Sequence, residues 1–195
     1  MLLRKLLIVA FLFSLFFVSS SLVMAQGLDI NLGNKSASFR YNAFVGGSTF
    51  GRTELNFGVL YNEDKNRYAD IGLLVVDTAG SKAPGLEVGI GPKVMFMWED
   101  ERDVKGAAIA LGGRLNFKPQ KMKRLRLGLE GYFAPSITSF LDLDNAYTLE
   151  GRVGYEILPT ATAYVGYRRI QASFNKSQGT HAIDQGAFLG IQLFF

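Results

Sequence analysis

The residues best suited to chemistry are charged, and within each stretch they stand an even number of positions apart: Arg52 and Glu54, Glu87 and Lys93, Arg126 and Glu130, then Glu150, Arg152 and Glu156. Asp70, Arg114 and Arg168 occur singly in similar surroundings. Side chains of an extended chain alternate between two faces, so even spacing puts each set on one face. Six basic and six acidic groups gathered this way can neutralise one another as a network of ion pairs, because an unpaired charge held away from water is costly. They can also line a passage, where rings of mixed sign discriminate only weakly among ions.

Catalysis and cofactor chemistry have little to draw on. The chain has one histidine and no cysteine. His181 has Ser177 upstream and Asp184 downstream, so a nucleophile, a base and an orienting acid can be written for lipid hydrolysis at the rim of a membrane protein. The spacing matches no motif of that chemistry, and a lone loop histidine is ordinarily solvated; no catalytic residue is assigned. Glu99-Asp100-Glu101 lacks the spaced oxygen ligands and turn glycine of a calcium loop and reads as a solvated outer loop, so no metal is expected. Gly89 and Gly91 lie inside an alternating segment instead of between a strand and a helix, where they let backbones bend and approach closely. No cofactor and no nucleic-acid partner is expected. The formal net charge of +4 falls to +2 when Arg4 and Lys5 leave with the export segment described below, too little for a nucleic-acid footprint.

The elements that must position the charges are strands. Leu55, Phe57, Val59 and Tyr61 alternate with Arg52, Glu54, Asn56 and Gly58, and Leu125, Leu127, Leu129 and Phe133 alternate with Arg126, Glu130 and Tyr132. The same period of two gives apolar faces at Ala69–Val75, Val88–Trp98, Ala107–Phe117, Tyr147–Ile157, Ala161–Tyr167 and Ala187–Phe195. Eight strands follow from residue 51 onward, each about the 9–11 residues that a tilted membrane strand requires. Segment 26–50 alternates through Leu28, Ile30 and Leu32 and again through Ala37, Phe39, Tyr41 and Ala43, with a break at Gly33-Asn34-Lys35. It adds one hairpin or none, because single-chain bacterial barrels usually have an even strand count, and ten is favoured over eight.

Sidedness decides what kind of barrel this is. A secreted sandwich or lipocalin-like barrel must present a water-suited face outward, whereas the face opposite the apolar one here carries Gly, Ala and balanced charge, which suits a crowded lumen. Aromatics expected at strand ends, Tyr61, Trp98, Phe117, Tyr147, Tyr155, Tyr167 and Phe195, fit two membrane interfaces. Short connections such as Leu158-Pro159 and longer polar ones at Asn62–Asn66, Glu99–Asp103 and Ser173–Thr180 fit short periplasmic turns and longer outer loops. The run Lys118–Arg126 is basic and falls on the periplasmic side, as a solvated turn or against anionic headgroups.

At the other end of the chain Arg4 and Lys5 precede the apolar stretch Leu6–Val18, and Val23-Met24-Ala25 suits a signal peptidase. Residues 1–25 read as a signal peptide cut after Ala25; a retained membrane anchor is the alternative. Leu193 and Phe195 close the last strand with the kind of terminal aromatic that outer-membrane assembly machinery recognises.

Leu127-Gly128-Leu129-Glu130-Gly131-Tyr132-Phe133-Ala134-Pro135, Gly154-Tyr155 before Leu158-Pro159, Tyr164-Val165-Gly166-Tyr167-Arg168 and the closing Gly186-Ala187-Phe188-Leu189-Gly190 resemble the YfaZ family of Gram-negative outer-membrane proteins. The resemblance is best from about Gly85 to the end. It implies a porin-like barrel and carries over no catalytic residues.

The expectation is therefore an all-β chain: a signal peptide over 1–25, an N-terminal segment over 26–50, and over 51–195 an antiparallel up-and-down transmembrane barrel of eight to ten strands in a bacterial outer membrane. Its function is that of a small porin or narrow pore, or of a non-conducting structural and surface-interaction barrel plugged by ion pairs. Expected partners are outer-membrane lipids, including lipopolysaccharide held at Lys65, Arg67, Arg102 and Lys176, and the barrel assembly machinery.

Overall fold

The computed structural model describes residues 26–48, 51–100, 104–174 and 179–195, and the expected export segment lies outside them. The alternating stretches form strands β1 (Gln26–Gly33), β2 (Ser36–Ser48), β3 (Gly51–Asn62), β4 (Asn66–Thr78), β5 (Leu86–Glu99), β6 (Val104–Phe117) and β7 (Leu125–Ala134). They continue as β8 (Ser139–Leu141), β9 (Leu143–Leu158), β10 (Ala161–Phe174) and β11 (Gly179–Phe194). All pair antiparallel, and β11 returns to pair with β1 from Gly27 opposite Phe194 to Gly33 opposite Phe188, so the sheet closes on itself. The short β8 pairs with Gly106–Ala108 of β6 beyond the stretch where β6 pairs with β7, and so takes no place of its own. The result is a closed antiparallel barrel of ten strands, with segment 26–48 supplying two of them.

The register shows how strongly the strands tilt. Partners traced from Tyr155, near one end of β9, run through Ala163, Ile191, Ile30, Phe39, Val59, Ala69 and Phe96 to Ala107, which faces Phe140 beside the opposite end of β9. One circuit of the ring thus climbs nearly the length of a strand, the stagger that closure with tilted strands requires. Close approach depends on glycine at a few points. A Cβ on Gly91 would lie 1.9 Å from the Leu73 carbonyl oxygen, where β4 and β5 are drawn together beside Pro92.

Alternation sorts the side chains as the sequence predicts. Ile90 and Leu111 are 66% and 72% exposed on the outside. An apolar outer surface of this extent suits lipid better than water. Inside, Leu74, Met95, Met97 and Asp70 are fully covered.

Several expectations about strand ends change. Most strands are longer than the 9–11 residues expected, reaching 16 in β9 and β11, because pairing continues through stretches that look like loops. His181 is accordingly in β11 opposite Ala172, not in a loop, and Glu99 ends β5 with little exposure instead of standing in solvent. Connections do not sort by length between the two ends: segments 79–85 and 118–124 lie at the same end as the short turn at Pro159-Thr160. Tyr167 falls in the middle of β10, where the Gln185 side-chain amide donates to its hydroxyl, and Phe195 lies just past the last paired residue of β11.

Candidate functional site

The interior has three levels, counted from the end that carries both Gln26 and Phe194. At that end lies a cavity of about 740 Å³ bordered by Lys118, Pro159 and Phe194 at its mouth and reaching inward to Asn42, Arg114, Arg152 and Tyr164. Its charges come from alternate positions on well-separated strands. Arg52 donates to Glu54 at 2.7 Å and to Glu87 at 3.0 Å, and Arg114 reaches the other oxygen of Glu54. At the mouth Glu156 receives both Arg126 and Lys118, the latter at 3.3 Å. Two cations share one carboxylate there, and the adjoining turn adds exposed Lys121, Lys123 and Arg124, so the mouth is net positive.

The middle level is a belt of buried ion pairs. Lys93 Nζ stands 2.8 Å from Glu130 and 3.6 Å from Asp70, and 4.1 Å over the ring of Tyr132. Arg40 lies 3.5 Å from Glu130 and 3.6 Å from Glu150. Arg152 joins Asp29 at 2.8 Å and Glu150 at 3.3 Å, and Asp29 also accepts from the Tyr164 hydroxyl. Arg168 bonds Asp184 at 2.9 Å, Asn31 at 3.1 Å and approaches Glu150. Beside Arg40, Tyr68, Asp70 and Arg168 the interior narrows to a pocket of about 20 Å³, the size of about one water.

The third level is apolar. Leu60, Tyr68, Met97, Val104, Ile170, Phe174 and Ile183 close over the ion pairs with almost no exposure. The Asn62 amide donates to the Ile183 carbonyl at 2.7 Å across the interior, which ties β3 to β11 and narrows this end further.

All twelve charges anticipated on one face take part in these pairs, divided between the cavity and the middle belt. The structure adds Arg40 and Lys118 as cations and Asp29 and Asp184 as anions, so the balance of sign is kept. Arg40 and Asp29 were legible, since each alternates with the apolar faces of β1 and β2. Asp184 was not. It sits beside a register shift in β11 opposite Ile170, which turns Ile183 and Asp184 together toward the interior. The Asp184 carboxylate is bonded to Arg168 in the interior, and Ser177 lies outside the described residues. Among the described residues no cluster of His, Cys, Asp or Glu is arranged to hold a metal ion.

A family model described as "YfaZ precursor" matches residues 4–195. Among solved structures, one titled "KdgM porin" is 13% identical with a TM-score of 0.45, covering 88% of this chain and 99% of that one. Another, "KdgM porin in complex with disordered oligogalacturonate", is 12% identical with a TM-score of 0.46 and the same coverage. No curated protein matches the chain.

Proposed function

Because the chain belongs to the YfaZ family, we propose that it resides in the bacterial outer membrane as a small porin with a narrow, side-chain-filled passage. One observation carries this reading: a cavity of about 740 Å³ opens at one end of a ring whose outside is apolar, and leads into charged groups that continue across the middle. In an outer-membrane barrel the end with both termini faces the periplasm, so the cavity is a periplasmic vestibule. Small polar solutes enter it readily. Onward passage requires the Lys93, Glu130 and Arg40 pairs to part and the apolar level above them to wet, and hydrophobic constrictions gate in this way. Because interior charge is nearly balanced, selectivity is weak.

Leu193 and Phe195 are read as the assembly signal, and Lys65 and Arg67 as rim contacts for lipopolysaccharide; Arg102 and Lys176, read with them, lie outside the described residues. The protein works without catalysis, and an unchanged lipid turnover on His181→Ala is the expected result.

Single-channel recording of the refolded barrel tests the proposal. Small, short-lived openings are expected. A silent bilayer with well-folded protein would overturn the pore and favour the non-conducting structural role, which the covered Met95 and Met97 support.

A further inference from the structure

The apolar belt is interrupted on the outside of β9, β10 and β11. Outward positions along β10 run Ala163, Val165 and Tyr167, and then turn polar at Arg169, Gln171 and Ser173. Arg169 is exposed, well inside the strand, beside Leu149 on one flank and Gln185 on the other. Its guanidinium lies 5.8 Å from the centre of the Tyr147 ring. The Tyr147 hydroxyl bonds Gln171, and the hydroxyls of Ser173 and Thr180 stand 3.0 Å apart, so polar groups continue from Arg169 to the strand ends.

Two other outward cations among the described strands are placed differently. Arg67 and Lys105 each stand next to the first residue of a strand, and Arg67 is 2.8 Å from Asp100. Among the described residues no carboxylate pairs with Arg169. A cation facing hydrocarbon is costly unless it reaches the interface or finds a counter-charge. The planar fork of Arg matches a phosphate with two parallel hydrogen bonds, and the amides and hydroxyls beyond it suit the rest of a headgroup.

We infer that this polar notch binds the phosphate of a membrane lipid, with Arg169 holding the phosphate and Gln171, Ser173 and Thr180 receiving the headgroup. The inference rests on the membrane reading above. The lipid phosphate supplies the missing counter-charge, and the notch lets the headgroup sit lower here than around the rest of the ring.

The test compares lipid retention by the refolded barrel in maltoside micelles, using native mass spectrometry with phosphatidylglycerol and with a phosphate-free galactosyl diacylglycerol. Wild type is expected to keep one phosphatidylglycerol and to release the galactolipid. Arg169→Gln should weaken phosphatidylglycerol retention about tenfold or more, with Arg169→Lys between the two. Equal retention of both lipids, or an unchanged Arg169→Gln, overturns the inference alone. So does a loss of thermal stability by Arg169→Gln that is the same with either lipid, since Arg169 would then only brace Tyr147. Protein that folds in plain buffer but not in vesicles overturns the membrane reading and this inference with it.

Discussion

Arg40 and Glu130 stand 3.5 Å apart although ninety residues separate them and their strands, β2 and β7, lie on opposite sides of the ring. A side-chain pair therefore spans the full diameter of the barrel. Nothing wide passes such a point, and the residues that close it are polar enough to hold water when they separate. The interior is thus a packed constriction with a vestibule at one end, an arrangement that small barrels reach because ten strands leave a lumen that long side chains can bridge.

Glu130 serves two cations at once, Arg40 and Lys93, with only 7% exposure. Glu130→Gln should cost about 3–5 kcal/mol, because it leaves buried positive charge without its partner. Lys93→Met combined with Glu130→Met should recover part of that loss. Urea unfolding of vesicle-inserted protein measures both, and a loss under about 1 kcal/mol would mean that water screens the pair.

Met95 and Met97 are completely covered and belong to the apolar level that seals the end opposite the vestibule. Shortening both to Ala should raise open probability and mean conductance in planar bilayers, since a wider and less apolar throat wets more easily. Unchanged traces from a folded double variant would place the barrier elsewhere.

Lys118 and Arg126 share Glu156 at the vestibule mouth. Reversing both to Glu should shift the reversal potential in a salt gradient toward cation preference, and the shift should shrink as salt rises because these groups are partly exposed and screened. A reversal potential that stays put would remove the mouth from the conduction path.

Gly91 and Gly46 make a matched pair for the fold. A Cβ at Gly91 meets the Leu73 carbonyl oxygen at 1.9 Å, whereas one at Gly46 meets nothing within 4 Å. Gly91→Ala should therefore hinder refolding, seen as loss of the compact heat-modifiable band on gels, while Gly46→Ala should refold like wild type. Equal yields would show that β4 and β5 part without cost.

The strand faces were legible from sequence because a period of two is a local property. Leu55, Phe57 and Val59 report their shared face without reference to any other strand. The same reasoning reaches Arg40 and Asp29 once segment 26–48 is taken as two strands. Strand ends were less legible. His181 and Glu99 look like loop residues because polar side chains dominate there, yet backbone pairing continues through them. Hydrogen bonds between backbones do not depend on side-chain polarity, so composition misplaces such boundaries.

By itself the sequence determined that this chain makes outward-apolar strands with balanced charge on the other face, since alternation and composition are carried residue by residue. Which charge meets which was decided only by closure. The stagger of the ring sets Arg40 against Glu130, brings Lys93 between Asp70 and Glu130, and gathers Arg169 with Tyr147 and Gln171 on the outside. Those meetings depend on strand order, tilt and the register shift at Ile183, which couple residues far apart along the chain and leave no periodic trace in it.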